Sequence, residues 1–109
     1  MAANVSLSSL SSGRRTLVEL MCRLHYGQVL GMHVKGGDPV FHPTPRLVRA
    51  FRLGLGSVPH PTAPRQDYLL KNQVLDLLRY LDHVRDGTID CIEVRDGLPY
   101  RVRHAEPFA

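Results

Sequence analysis

Residues 17–42, LVELMCRLHYGQVLGMHVKGGDPVFH, line up without a gap on residues 77–102, LLRYLDHVRDGTIDCIEVRDGLPYRV. Leu17, Gly27, Val34, Gly37 and Pro39 of the first stretch recur as Leu77, Gly87, Val94, Gly97 and Pro99 of the second. Conservative pairs lie between them: Met21 with Leu81, Leu24 with Val84, Val29 with Ile89, Met32 with Ile92 and Lys35 with Arg95. Each stretch reads as helix, Gly, strand, Gly-containing turn, strand. Two such units fall short of the three or more that a repeat array needs, so the offset points to a pseudo-duplicated pair of αββ units within one domain, not to a solenoid.

Leu17, Leu20, Met21 and Leu24 follow the i, i+3, i+4, i+7 spacing of an amphipathic helix. Thr16 with Glu19 offers a capping box, and Gly27 a stop. The stripe Leu70, Val74, Leu77, Leu78, Leu81 and Val84 predicts a second helix over about 67–86, capped by Asp67 and ended by Gly87.

After each helix comes a hairpin whose register decides which side chains meet the core. A two-residue Asp96-Gly97 turn pairs Val94 with Pro99 and puts Arg101 and Arg103 on the face of Ile92. A three-residue Arg95-Asp96-Gly97 loop with a left-handed Gly97 instead places Ile92, Val94, Leu98, Tyr100 and Val102 together inside, with Cys91, Glu93, Arg95, Pro99, Arg101 and Arg103 outside. A one-residue slip exchanges the faces, so the second register is the one expected. The same rule puts Leu30, Met32, Val34 and Val40 inside the first hairpin, and Gly31, His33, Lys35, Pro39 and Phe41 outside. Pro39 and Pro99 assign the second strand of each hairpin to an edge, leaving strands 29–35 and 88–95 as central neighbours.

Residues 46–53 suit either a short helix or a strand; the strand is the reading taken, with Leu47, Phe51 and Leu53 facing in. Residues 1–12, with five Ser, read as a disordered tail, and 54–66, with Pro59, Pro61 and Pro64, as an extended loop. The expected fold is an α+β two-layer sandwich: an antiparallel sheet of four to five strands with two helices on one face. Residues 13–109 form the single domain, with half-repeats over about 14–53 and 67–104.

A chain of 109 residues suffices for one modest core, built without Trp. Cys22 and Cys91 make no disulfide framework and no Cys-x-x-Cys metal pair, as expected for a reducing, cytoplasmic setting. The apolar stretch after Arg14-Arg15 carries Glu19 and Arg23 and no small-residue cleavage site, unlike a twin-arginine signal, and no run approaches the ~18 apolar residues of a membrane span. No membrane association is expected.

Six histidines raise the question of a metal, yet only Cys22 and His25 are closely spaced, and His33 and His42 fall on opposite faces. Zinc needs four converging ligands, so no metal site and no cofactor is expected. No carboxylate pair, activated nucleophile or phosphate loop can be argued from the spacing, which points away from an enzyme.

The net charge of +4 is carried mostly by Arg, whose planar fork suits phosphate and carboxylate groups. The outward set Lys35, Phe41, Arg95, Arg101 and Arg103 combines cations with an aromatic ring, the mixture that single-stranded nucleic acid uses for phosphate attraction and stacking. The expectation is a small non-enzymatic binding module using this face, with nucleic acid as its ligand. The alternative is a protein-interaction or homodimeric assembly module, through the Pro61-Thr62-Ala63-Pro64-Arg65 segment or the apolar flank Tyr68, Leu69, Leu75 and Tyr80.

Overall fold

The computed structural model describes residues 6–51, 53 and 70–106. A 3-10 turn, Leu7–Ser9, precedes α1 (Ser12–Leu24), β1 (Gly27–Lys35), β2 (Asp38–Val40), β3 (Arg46–Arg49), α2 (Asn72–Val84), β4 (Gly87–Arg95) and β5 (Leu98–Arg103). The five strands make one antiparallel sheet in the order β2-β1-β4-β5, and β3 pairs with β1 as well. Because β4 runs along one whole side of β1, β2 and β3 share its other side, β2 near the C-terminal end of β1 and β3 near its start. The expected α+β class, the strand number and the central pairing of the two long strands are all present.

Helix α1 starts earlier than a Thr16 cap would allow. The Ser11 hydroxyl accepts from the Arg14 N–H at 3.3 Å, whereas the Thr16 hydroxyl lies inside the helix and donates to the Ser12 carbonyl at 2.8 Å. Helix α2 starts later than expected, with Lys71 at its N-cap and no side-chain cap. Asp67, the Pro-rich loop over 54–66 with its Pro61–Arg65 segment, and Tyr68 and Leu69 lie outside the described residues. Both helices stop two residues before the glycines, at His25 (φ 65°) and Arg85 (φ 62°). Each of these residues forms a tight reversal, closed by Tyr26 N–H on the Leu24 carbonyl (2.7 Å) and by Asp86 N–H on the Val84 carbonyl (2.8 Å).

One apolar layer joins the helices to the sheet. Leu17, Met21 and Leu24 of α1 and Val74, Leu77 and Leu81 of α2 pack over Val29 and Met32 of β1 and Ile89 and Ile92 of β4. Each such side chain removed from water contributes about 1.5–3 kcal/mol. Leu7 is fully buried in the same cluster, so the ordered core reaches into the Ser-rich start that was expected to be disordered through residue 12.

The inside set of β1 differs from the expected one. Val29, Met32 and Val34 are buried, and Leu30 takes the outward side. The alternation is interrupted at Gly31 (φ 69°), a left-handed conformation that suits a residue without Cβ. The register with β4 nonetheless stays constant, with Leu30 opposite Cys91 and Met32 opposite Ile89. Residues 46–49 are a strand paired with β1; Leu47 lies opposite Val29 on the helix side of the sheet, but all four residues are exposed, as are Phe51 and Leu53.

Candidate functional site

The outward face is built by the second hairpin, and its geometry turns on one extra residue. Arg95 opposes Leu98, and Asp96 and Gly97 both have positive φ (56° and 75°), so the loop is the two-residue turn that the Asp-Gly pair favours. The three-residue loop expected from the sequence is not formed; Lys35 opposite Asp38, with Gly36 and Gly37 between them, makes the same short turn in the first hairpin. The conflict that seemed to exclude this turn is resolved by a β-bulge. Val94 opposes Pro99, whereas Glu93 opposes Arg101, and Tyr100 is left over between them. Beyond the bulge Val102 lies opposite Ile92 and packs on the core, while Arg101 and Arg103 point to the open face.

Tyr100 thus leaves the core to which the sequence assigned it and is 49% exposed. The guanidinium of Arg95 lies 4.3 Å from its ring centroid and that of Arg101 lies 5.9 Å away, both within cation–π range. Arg101 Nε donates to Glu93 Oε2 across the pair of strands. This hydrogen bond, aided by the charges of Arg101 and Arg103 and by the Tyr100 hydroxyl, holds the Glu93 carboxyl below its ordinary range against an opposing effect of desolvation. Glu93 in turn raises the affinity of Arg101 for its proton, chiefly through the same bond.

The strand registers set these groups in two rows across the sheet. One runs Val48, Gln28, Glu93, Arg101; the next runs Arg46, Leu30, Cys91, Arg103. The second row spans three strand spacings, about 14 Å between its end Cα atoms. Among the described residues neither Arg46 nor Arg103 has an acidic partner. Between them Cys91 is buried, and burial, with Glu93 adding to it, pushes its thiol up, so it stays protonated and poorly nucleophilic. Next to the first row a shallow cavity of about 390 Å³ is lined by Gln28, Val48, Ala50, Glu93, Arg95 and Tyr100, among others.

Two of the five expected face residues lie elsewhere. Gly27 opposes Val94 and Val34 opposes Gly87, so Lys35 and Arg95 sit at opposite ends of the central pair, about 30 Å apart. Phe41 is half-buried against the core and does not stand on the open face, because β2 ends at Val40 and the chain turns away through a cis His42–Pro43 bond. Arg95, Arg101 and Arg103 do come together. Arg46, Gln28 and Tyr100 join them unforeseen; an Asp-Gly pair taken as a strict two-residue turn, with Val102 still required inside, would have exposed the bulge and Tyr100 with it.

A second cavity, about 400 Å³, is lined by His83, Asp86, Asp90, His104 and Glu106 among others. Its acids already serve the fold: Asp86 accepts from Gly36 N–H at 3.1 Å, Asp90 accepts from Ala105 N–H at 2.6 Å, and Glu106 lies 3.4 Å from His104. His104 Nδ1 also shares a 2.9 Å hydrogen bond with the Tyr80 hydroxyl. Among the described residues no three His, Cys, Asp or Glu side chains converge to hold a metal ion, and no helix is long and apolar enough to cross a membrane. No protein-family model, no curated protein and no solved structure matches the chain, so the open face itself is the ground on which function is read.

Proposed function

We propose that the protein is a non-enzymatic module that binds single-stranded nucleic acid on the open face of its sheet. The observation that carries the reading is the Arg95–Tyr100 stack, exposed by the bulge and set beside two arginines with no acidic partner among the described residues, Arg46 and Arg103. Guanidinium groups neutralise phosphates and stack on bases, and a Tyr ring behind one of them holds it in place without neutralising it. In this reading Arg46 and Arg103 hold the backbone at the two ends of their row. A base lies against the outer side of the Arg95 guanidinium, over the shallow cavity. The Glu93–Arg101 pair fixes the floor of the face and leaves the other cations free.

Fluorescence anisotropy with a labelled oligo(dT) or oligo(U) tests this. Binding is expected at low salt, with an affinity that falls linearly in log–log form as salt rises. Arg103→Ala and Arg46→Ala should each weaken binding and lower the salt slope by about 0.7, the value for one phosphate of a single strand. Tyr100→Ala should weaken it with little change in slope, because the loss is of stacking order and not of charge. No binding at low ionic strength, or binding indifferent to all three changes, would overturn the reading.

A further inference from the structure

Three strands of the sheet lie at its margins, and two of them are blunted. β2 carries Pro39 in a strand of only three residues, and β5 carries Pro99, a bulge at Tyr100 and the exposed Arg101 and Arg103. Such features discourage pairing with another chain. β3 is also short and has an exposed Arg at each end, but Arg46–Arg49 holds no proline and no bulge, pairs regularly with β1, and has no strand on its outer side among the described residues. Leu47 is 47% exposed and Val48 41%, and the chain just beyond adds Phe51 at 49% and Leu53 at 92%. Among the described residues, exposed large apolar side chains therefore gather at the edge least guarded against a further strand.

We infer that β3 is a dimerisation edge, and that its occupant is the β3 strand of a second copy of this chain, paired antiparallel with Leu47 opposite Leu47 of the second copy. The register follows from the faces. Leu47 and Arg49 pair with Val29 and Gly27 and share the helix side, whereas Arg46 and Val48 pair with Leu30 and Gln28 on the open side. If one sheet is to run through both copies, residues on like faces must oppose, which leaves Leu47 on Leu47 or Val48 on Val48. The second choice sets each Leu47 against an Arg49. The first joins the two leucines and puts each Arg46 beside a Val48, so that no two guanidinium groups face each other.

An acidic extended peptide is the competing occupant, since β3 begins and ends with Arg. Arg49, however, is already committed: its Nη1 donates to the carbonyls of Arg23 and Leu24 at the end of α1, at 3.1 and 3.3 Å. Among the described residues of this edge a single free guanidinium, that of Arg46, remains to attract acid, against four exposed apolar side chains that a second copy would cover with the same four. The pairing would also carry the open face, with its Arg46 and Arg103 row, across both copies.

Sedimentation velocity over a concentration series tests the inference. The chain is expected to shift from 12.2 kDa towards twice that mass. Leu47→Lys, which places a charge on an already exposed edge position, should weaken association about tenfold or more while the circular dichroism spectrum is unchanged. Leu47→Cys should form, on mild oxidation, a disulfide mapped by mass spectrometry to residue 47 of both copies, since directly opposed residues lie within disulfide reach. A monomer at every concentration, an association that survives Leu47→Lys, or a monomer that instead takes up an acidic strand peptide at β3 would each overturn it.

Discussion

The two halves of the molecule are alike in frame and unlike at their edges. Helices α1 and α2 both have 13 residues, β1 and β4 both have nine, and equivalent elements begin 60 residues apart. Even the ties between halves are exchanged: Gly37 N–H donates to the Arg85 carbonyl and Gly97 N–H to the His25 carbonyl, each at 2.9 Å. The likeness ends just past Pro39 and Pro99. The first half abandons the sheet and returns as β3, while the second continues through a bulge to Arg103. The frame is thus set by matched apolar and glycine positions, and the surface chemistry by what each half does after its proline. The second half builds the arginine and tyrosine face; the first leaves an open edge.

The sharpest break in the likeness lies at two equivalent glycines. A Cβ on Gly27 would sit 2.0 Å from the Val48 carbonyl oxygen, because β3 crosses there, whereas one on Gly87 would meet the Val84 side chain at an ordinary 3.5 Å. Gly27→Ala should therefore cost about 3 kcal/mol in denaturant unfolding, and Gly87→Ala should be close to neutral. At the core the halves should instead behave alike. Met32→Ala and Ile92→Ala each open a cavity at a fully buried position and should each cost about 3 kcal/mol; a large disparity would show that the two halves are not equally packed.

Smaller effects separate the helix starts. Ser11→Ala should cost about 1 kcal/mol, while Lys71→Ser, which supplies a cap where none exists, should gain up to about 1 kcal/mol in thermal unfolding. The smallest effect is one of pH. The folded Glu93 carboxyl lies below its ordinary value of 4.5, so its pairing with Arg101 contributes stability that is fully present above that value and lost as pH falls through the lower folded one. Comparing wild type with Glu93→Gln in acid titrations should therefore show a difference above pH 4.5 that shrinks below it. At position 33, the matching site of β1, a His stands in place of the Glu and hydrogen-bonds Thr88, so no such carboxylate effect is expected there.

Much of this frame is legible in the sequence, because helix spacing, glycine stops and edge prolines are local signals. The central β1–β4 pair follows from them once Pro39 and Pro99 send their strands outward. The bulge is not legible in the same way. It reconciles a turn that Asp96-Gly97 favours locally with a core that demands Val102, and only the packed structure shows that the chain keeps both by expelling Tyr100. Arg46 escaped for a related reason: its place beside Leu30 depends on β3 pairing with β1 and not with its neighbour in sequence. Arg95, Arg101 and Arg103 are legible because the three-residue loop expected from the sequence and the bulged two-residue turn both put them on one face of a single hairpin.

The exchanged ties between the helix ends and the opposite turns have a kinetic meaning. Neither the His25 carbonyl nor the Gly97 N–H has its partner until both halves are in place, and the β1–β4 ladder joins residues 53 to 67 positions apart. The β1–β2 and β4–β5 hairpins can pair locally, but a long loop must close before the central ladder that joins the halves can form. Folding is expected to be slow for a chain of this length, and neither half, made alone, should hold a native structure.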